Sequence, residues 1–205
     1  MAVVKDNPTR IERRKEQIRE RIINAALLAF SELGYTKTTV DDITTRADVG
    51  HGTFYQYFKN KQDLLVMLAD DLAEKLDGYV RPKNKQLSAY ERMNYEARGI
   101  LGFYVKHRSL LAALKEAMML DRQFEEKWMK IYENLFKRID RDIKGSMEKG
   151  YCRDIDVGVT IRALTCMLEG YAHYVMMEPP GSVDIDAAAD SLTDLAYHAV
   201  FKVQT

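Results

Sequence analysis

Thr38-Thr39-Val40-Asp41-Asp42-Ile43-Thr44-Thr45-Arg46-Ala47-Asp48-Val49-Gly50-His51-Gly52-Thr53-Phe54-Tyr55-Gln56-Tyr57-Phe58-Lys59-Asn60-Lys61 is the stretch on which the reading of this chain turns. Thr39 stands where a side-chain oxygen can cap a helix, and Asp41 and Asp42 set negative charge against the positive end of its first turn. Val40, Ile43 and Ala47 then share an inner face, and Asp48-Val49-Gly50 reads as a tight turn. Gly50 or His51 opens a second short helix, with Phe54 and Phe58, four apart, pointing inward and Tyr55, Gln56 and Tyr57 around the outside. Two short helices joined by a tight turn are a helix-turn-helix, whose second member fits the major groove of DNA.

Helical periodicity extends outward on both sides. Ile11, Ile18, Ile22, Ala25 and Ala29 form one stripe that ends at Gly34, which predicts a helix over 12–33. After Asn60, a capping residue, Leu64, Leu68, Leu72 and Leu76 repeat every four residues until Gly78 and Pro82 mark a break. Ser88-Ala89-Tyr90-Glu91 has capping-box spacing and starts a helix to about residue 107, with a shorter one following to about 119. Phe124, Trp128, Ile131, Leu135, Ile139 and Ile143 predict a long helix over 121–149. Two more follow, over 156–177 and 186–203, on either side of Glu178-Pro179-Pro180-Gly181. No alternating strand pattern competes, so the expected class is all-α with about nine helices.

The 205 residues contain 46% hydrophobic side chains, which excludes wholesale disorder, and two cysteines, Cys152 and Cys166, without metal-ligand spacing, so a zinc site or a disulfide scaffold is not expected. No apolar run approaches the roughly 18 residues that span a bilayer, and the stretch from Met1 to Arg21 is charged where a signal peptide is greasy. A folded cytoplasmic protein without a membrane partner is the expectation. The 31 Lys and Arg cancel the 31 Asp and Glu. The cancellation is uneven: residues 1–61 hold 11 basic against 8 acidic side chains, a surplus of three, and 62–205 carry the opposite imbalance.

The spacing Gly34-x-x-x-Thr38-Thr39-Val40-x-x-Ile43-x-x-x-Ala47-x-Val49, followed by Gly52-Thr53-Phe54-Tyr55-x-Tyr57-Phe58-x-x-Lys61-x-x-Leu64, resembles the N-terminal DNA-binding domain of the TetR family of bacterial repressors. Asp48 stands where that family usually has Gly, and Gly50 where it often has Ser. The resemblance implies an N-terminal three-helix DNA-binding domain, residues 1–61, and a C-terminal helical domain, 62–205, for dimerisation and ligand sensing. It implies a homodimer on a palindromic operator, released by a small molecule. Thr39, Tyr55, Tyr57 and Lys61 correspond to positions that hold phosphates. His51, Gly52 and Thr53 begin the recognition helix nearest the base edges, next to Gly50 at its start, and Gln56 is a further candidate. Packing of Tyr55 and Tyr57 against Phe54 and Phe58 is the alternative for those two rings.

Arg10, Arg13, Arg14, Lys15, Arg19 and Arg21 alternate with Glu12, Glu16 and Glu20 and read mainly as a solvated helical face. The first dozen residues are also placed to reach the minor groove or phosphates beside the recognition helix. In the last two helices a bulky stripe (Val157, Ile161, Leu164, Leu168, Tyr171, Val175) is accompanied by a second, smaller one (Val159, Ala163, Cys166, Gly170). Ile185, Ala188, Leu192, Leu195 and Ala199 likewise run beside Ala189, Ala196, Val200 and Val203. A helix resting on its own core needs one stripe, so these two helices are the candidate dimer interface, full burial within one chain being the alternative.

Phe103, Tyr104, Met118, Phe124, Trp128, Tyr132, Met167, Tyr171 and Tyr174 supply the residue types of an apolar pocket and, given the resemblance, are candidates to line an effector site. Glu169 and His173, four apart, lack the further ligands that a metal centre needs and read as a structural pair. No nucleophile elbow, phosphate loop or dinucleotide fingerprint is present, so no enzyme and no cofactor are expected. The second functional reading is an architectural DNA-binding dimer that takes no inducer.

Overall fold

A computed structural model describes residues 9–84 and 86–202. Local chemistry sets most helix boundaries. α1 (Arg10–Leu33) begins at a reciprocal Thr9/Glu12 capping box, α2 (Val40–Ala47) at a Thr39/Asp42 box and α5 (Ala89–Lys106) at a Ser88/Glu91 box, each stabilising its helix by about 1 kcal/mol. α3 (His51–Tyr55) is a single short segment, and α4 (Lys61–Val80) starts where Asn60 Oδ1 accepts the Asp63 N–H at 2.7 Å. α6 (Arg108–Met118) and α7 (Gln123–Glu148) follow. Asp156 caps α8 (Val157–Met177) and Asp184 caps α9 (Ile185–Val200). Among the described residues there are nine helices, and the one extended pairing is an isolated bridge between Cys152 and Phe201. None of these helices is long and apolar enough to cross a membrane.

Two expectations change. The leucine-rich helix does not stop at Gly78 but continues to Val80. Glycine costs a helix about 1 kcal/mol, less than is gained by burying Leu76 and Val80, each 1% exposed. Ile11, assigned to the first helix's apolar stripe, is 70% exposed, because the core begins only near Ile22.

Packing forms two compact units. The first comprises the described residues up to Leu68 with Ser109–Phe124, and the second comprises Ala69–Arg108 with the described residues from Glu125 onward. Residues 62–68 and most of α6 therefore pack with the N-terminal helices rather than falling beyond a single cut at residue 61. Ile22, Ala26, Ile43, Phe54, Leu64 and Leu65 are fully buried in the first unit's core. In the second, α5 packs on α8 and α9, with Leu101, Phe103 and Tyr104 inaccessible.

Gly99 allows the closest backbone approach in the second unit: a Cβ there would lie 2.2 Å from the Tyr79 carbonyl oxygen. Backbone cannot swing aside as a flexible side chain can. Gly99→Ala should therefore lower stability by about 1–3 kcal/mol in chemical denaturation. Gly102→Ala, on the same helix with nothing within 4 Å of the new methyl, should instead be neutral or gain up to about 1 kcal/mol from helix propensity.

Candidate functional site

The helix-turn-helix is built outward from two rings. Phe54 and Phe58 are 0% and 4% exposed, with centroids 5.7 Å apart. Tyr55 meets Phe54 edge-on at 5.5 Å yet remains 56% exposed, while Tyr57 tilts against Phe58 at 6.5 Å and is half-buried. Both rings thus pack on the core's edge and still face outward in part. Asp48 at the turn is left-handed, φ 50°, a conformation that Asp tolerates better than most residues. Arg21 braces that turn: its guanidinium donates to the carbonyls of Ala47 at 2.5 Å and Asp48 at 2.9 Å. The sequence reading left Arg21 on a solvated face.

His51, Gly52, Tyr55 and Gln56 are exposed and Thr53 partly so, which puts the recognition-helix candidates on one accessible segment. A Cβ added at Gly50 or Gly52 would meet nothing within 4 Å, so packing within the chain does not demand glycine at either place. His51 Nε2 lies 2.8 Å from Asp41 Oδ1. The exposed Thr39 hydroxyl donates to Asp42 Oδ2 at 2.6 Å and accepts the Asp42 N–H at 3.1 Å, so it is largely committed to the cap. Of the basic N-terminal segment, residues 1–8 lie outside the described residues.

Lys61 departs most from expectation. Its ammonium donates to the carbonyls of Tyr35 at 2.7 Å, Thr36 at 3.0 Å and Thr38 at 2.6 Å, and it lies 4.6 Å from the Tyr35 ring centroid. An ammonium has three N–H donors, and all three are engaged inside the protein rather than offered to a phosphate. Burial holds the Lys61 pKa below its ordinary value, against the opposite pull of Glu116 and Asp42. Burial, with the charge of Asp121 adding to it, pushes the Tyr35 phenol up to about 12.

Glu116, from α6, holds the same loop by accepting from the Thr36 N–H at 2.8 Å and the Thr36 hydroxyl at 3.3 Å. Its other oxygen lies 2.7 Å from where a Cβ on Gly34 would be. Gly34 itself has φ 77° and ψ 160°, a region essentially restricted to glycine. The contact joins residues 80 apart, and nothing in local spacing signals it.

The second unit contains a cavity of about 390 Å³ among α5, α7, α8 and α9. Met93, Ile100, Leu135, Phe136, Ile139 and Leu164 give it a mainly apolar lining. Of its charged lining residues, Arg92 pairs with Asp142 at 2.9 Å, and Glu96 pairs with Arg138, outside the lining, at 3.1 Å. Burial raises the Glu96 carboxyl above its usual range, opposed by the Arg138 charge. Of the nine pocket candidates, Tyr132 and Met167 line the cavity. Tyr104 lies behind Tyr132, the two hydroxyls 2.7 Å apart, and burial raises both phenols. Phe103 and Trp128 are buried, Tyr171 is half-buried and Tyr174 is 50% exposed, none of them in the lining; Met118 and Phe124 belong to the first unit. The lining residues that sequence reasoning missed come from all four helices, among them Met93 on α5, Ile139 on α7, Leu164 on α8 and Leu192 on α9.

A sequence model of the family described as bacterial regulatory proteins, tetR family, matches residues 22–68. That match covers the helix-turn-helix just described. The helix-turn-helix segment is of the TetR type. The chain is 27% identical over 144 residues to the uncharacterized HTH-type transcriptional regulator YhgD of Bacillus subtilis, covering 68% of this chain and 74% of that one. A TetR-like transcriptional regulator from Rhodococcus superposes with a TM-score of 0.72 at 23% identity, covering 94% of this chain and 97% of the other. The regulator FadR from Bacillus subtilis, solved with stearoyl-CoA, superposes with a TM-score of 0.71 at 20% identity, over 88% and 98% of the two chains. At such identities the superpositions establish the fold. The protein is a DNA-binding transcriptional regulator.

The inward ammonium gives a TetR-family position a specific consequence here. Lys61→Met keeps the aliphatic stem and removes the three donors, so stability should fall by about 1–3 kcal/mol in thermal unfolding. The slope of log affinity for DNA against log salt should change by less than the roughly 0.9 expected for one lost phosphate contact.

Proposed function

We propose that this regulator is a repressor that binds a palindromic operator as a homodimer and is released when a small apolar effector enters the α5/α7/α8/α9 cavity. Residues 1–61 bind DNA, with phosphates held by Tyr55 and Tyr57, and by Thr39 once its hydroxyl turns from Asp42, and bases met by His51, Thr53 and Gln56. Gly50 and Gly52 allow the backbone to come close. Residues 62–205 dimerise and hold the effector. The observation that carries this reading is the open segment around Gly50 and Gly52, where the missing side chains have no internal cause.

Exposure on the last two helices supports the dimer. On α8, Val159 is 65% and Met177 71% exposed, and Ala163, Cys166 and Gly170 between them are also exposed. Leu195 on α9 is 63% exposed and Ala199 is exposed, whereas Ala189, Ala196 and Val200 face the core. Val203, assigned to that second stripe, lies outside the described residues. Small side chains on an uncovered apolar face suit close packing against a second copy, giving a four-helix bundle. A short bis-maleimide should link two chains through Cys166, which is exposed, and fail with Cys166→Ser, since Cys152 is buried. A monomer in sedimentation at micromolar concentration would overturn the dimer.

The cavity's proportions support an extended apolar effector. Its lining runs from Ala89 to Ile100 on α5 and from Tyr132 to Lys149 on α7, about 16 Å and 25 Å of helix. A volume of about 390 Å³ with a mainly apolar lining spread over that length suits an extended apolar chain. FadR's bound stearoyl-CoA makes an acyl chain the first one to try. α4 belongs to both packing units, so its displacement by the effector would alter the spacing of the two recognition helices from the roughly 34–36 Å between successive major grooves. Stearate or stearoyl-CoA should raise the unfolding temperature and weaken operator binding at least about tenfold. Leu164→Trp, which fills the cavity, should bind DNA normally and lose both responses. A wild-type protein indifferent to both compounds and to other apolar chains would contradict the effector reading.

A further inference from the structure

In Gly50-His51-Gly52, a histidine stands between two residues without side chains. Neither adjoining position sets a side chain beside the imidazole, and a Cβ built at either glycine would meet nothing beyond its chain neighbours within 4 Å. Loss of rotamer freedom on binding works against affinity and blurs discrimination, because a free ring can swing to suit several bases. The contact that does restrain it comes from the other helix of the motif. Asp41, in the first turn of α2, meets the ring through Oδ1 at 2.8 Å from Nε2, although both side chains are largely exposed, 54% for His51 and 78% for Asp41.

We infer that Asp41 is a positioning residue for sequence reading: it fixes the rotamer and tautomer of His51 so that Nδ1 is the atom presented to a base edge. This rests on the reading of His51 as a base-facing residue. A carboxylate only accepts, so the proton at the contact is on Nε2 of His51, and the hydrogen bond made by one ring nitrogen decides what the other offers. In the neutral ring Nδ1 then keeps its lone pair and accepts from the exocyclic amino group of adenine or cytosine on the strand it faces, groups displayed in the major groove. Asp41 itself touches no base and acts entirely through the ring.

The account predicts which base pair is affected, not merely that binding weakens. The full chain and three variants, His51→Ala, Asp41→Ala and Asp41→Asn, are used to select bound duplexes from a randomised library. His51→Ala should level the preference at one base-pair position in each half-site. Asp41→Ala should reduce preference at that same position by roughly fivefold, the value of one hydrogen bond, and leave the other positions unchanged. Asp41→Asn keeps an oxygen that accepts from Nε2–H and should retain the preference. Sharp selection at the remaining positions shows that Asp41→Ala is folded and docked. The inference is overturned if Asp41→Ala alters a different position, all positions alike or none, or if Asp41→Asn behaves as Asp41→Ala does. A wild-type protein that selects no sequence overturns the base-reading itself, an outcome distinct from these.

Discussion

The N-terminal unit depends on one ammonium. The loop from Tyr35 to Thr38 exposes carbonyls that no helix satisfies, and Lys61 takes three of them while its stem passes over the Tyr35 ring. Charge-assisted hydrogen bonds are about twice as strong as neutral ones, and here three converge on a partly buried group. The loop ends at Thr39, the cap of α2, so holding it also sets where α2 begins. α2 in turn carries Asp41 to His51, and its final carbonyl is held by Arg21. Glu116 grips the loop from α6 through Thr36, which leaves Gly34 with neither the space nor the backbone angle for a side chain.

The same interactions explain what was legible in the sequence. Helix starts were, because a cap is a local event: Thr39 with Asp42 and Ser88 with Glu91 satisfy each other across three residues. The inward direction of Phe54 and Phe58 was legible from spacing alone. The internal partners of Lys61 were not legible, because they lie 23 to 26 residues earlier in the chain and the motif alone suggests a phosphate ligand. Glu116 and Arg21 were missed for the same reason, since each acts on backbone carbonyl or amide groups that carry no residue-type signal.

The cavity of the second unit was only partly legible in the sequence. Aromatic and methionine content pointed to an apolar interior, but core and cavity wall draw on the same residues. Tyr132 reaches the cavity while its partner Tyr104 is one layer behind, a difference of a few ångströms that periodicity does not record. The pairing of Arg92 with Asp142 and of Glu96 with Arg138 neutralises part of the charge beside a mainly apolar cavity. The chain's zero net charge is likewise a sum of unequal parts, with the basic surplus lying in the segment that holds the helix-turn-helix.

With only three surplus positive charges there, the proposed repressor gains specific binding from two units meeting two half-sites together. Footprinting on genomic fragments, combined with the mass of the protein–DNA complex by sedimentation, tests this most directly. The account predicts a few discrete, symmetric protected segments, each bound by an even number of chains. Uniform protection along the DNA, or a single chain occupying a discrete site, would contradict it.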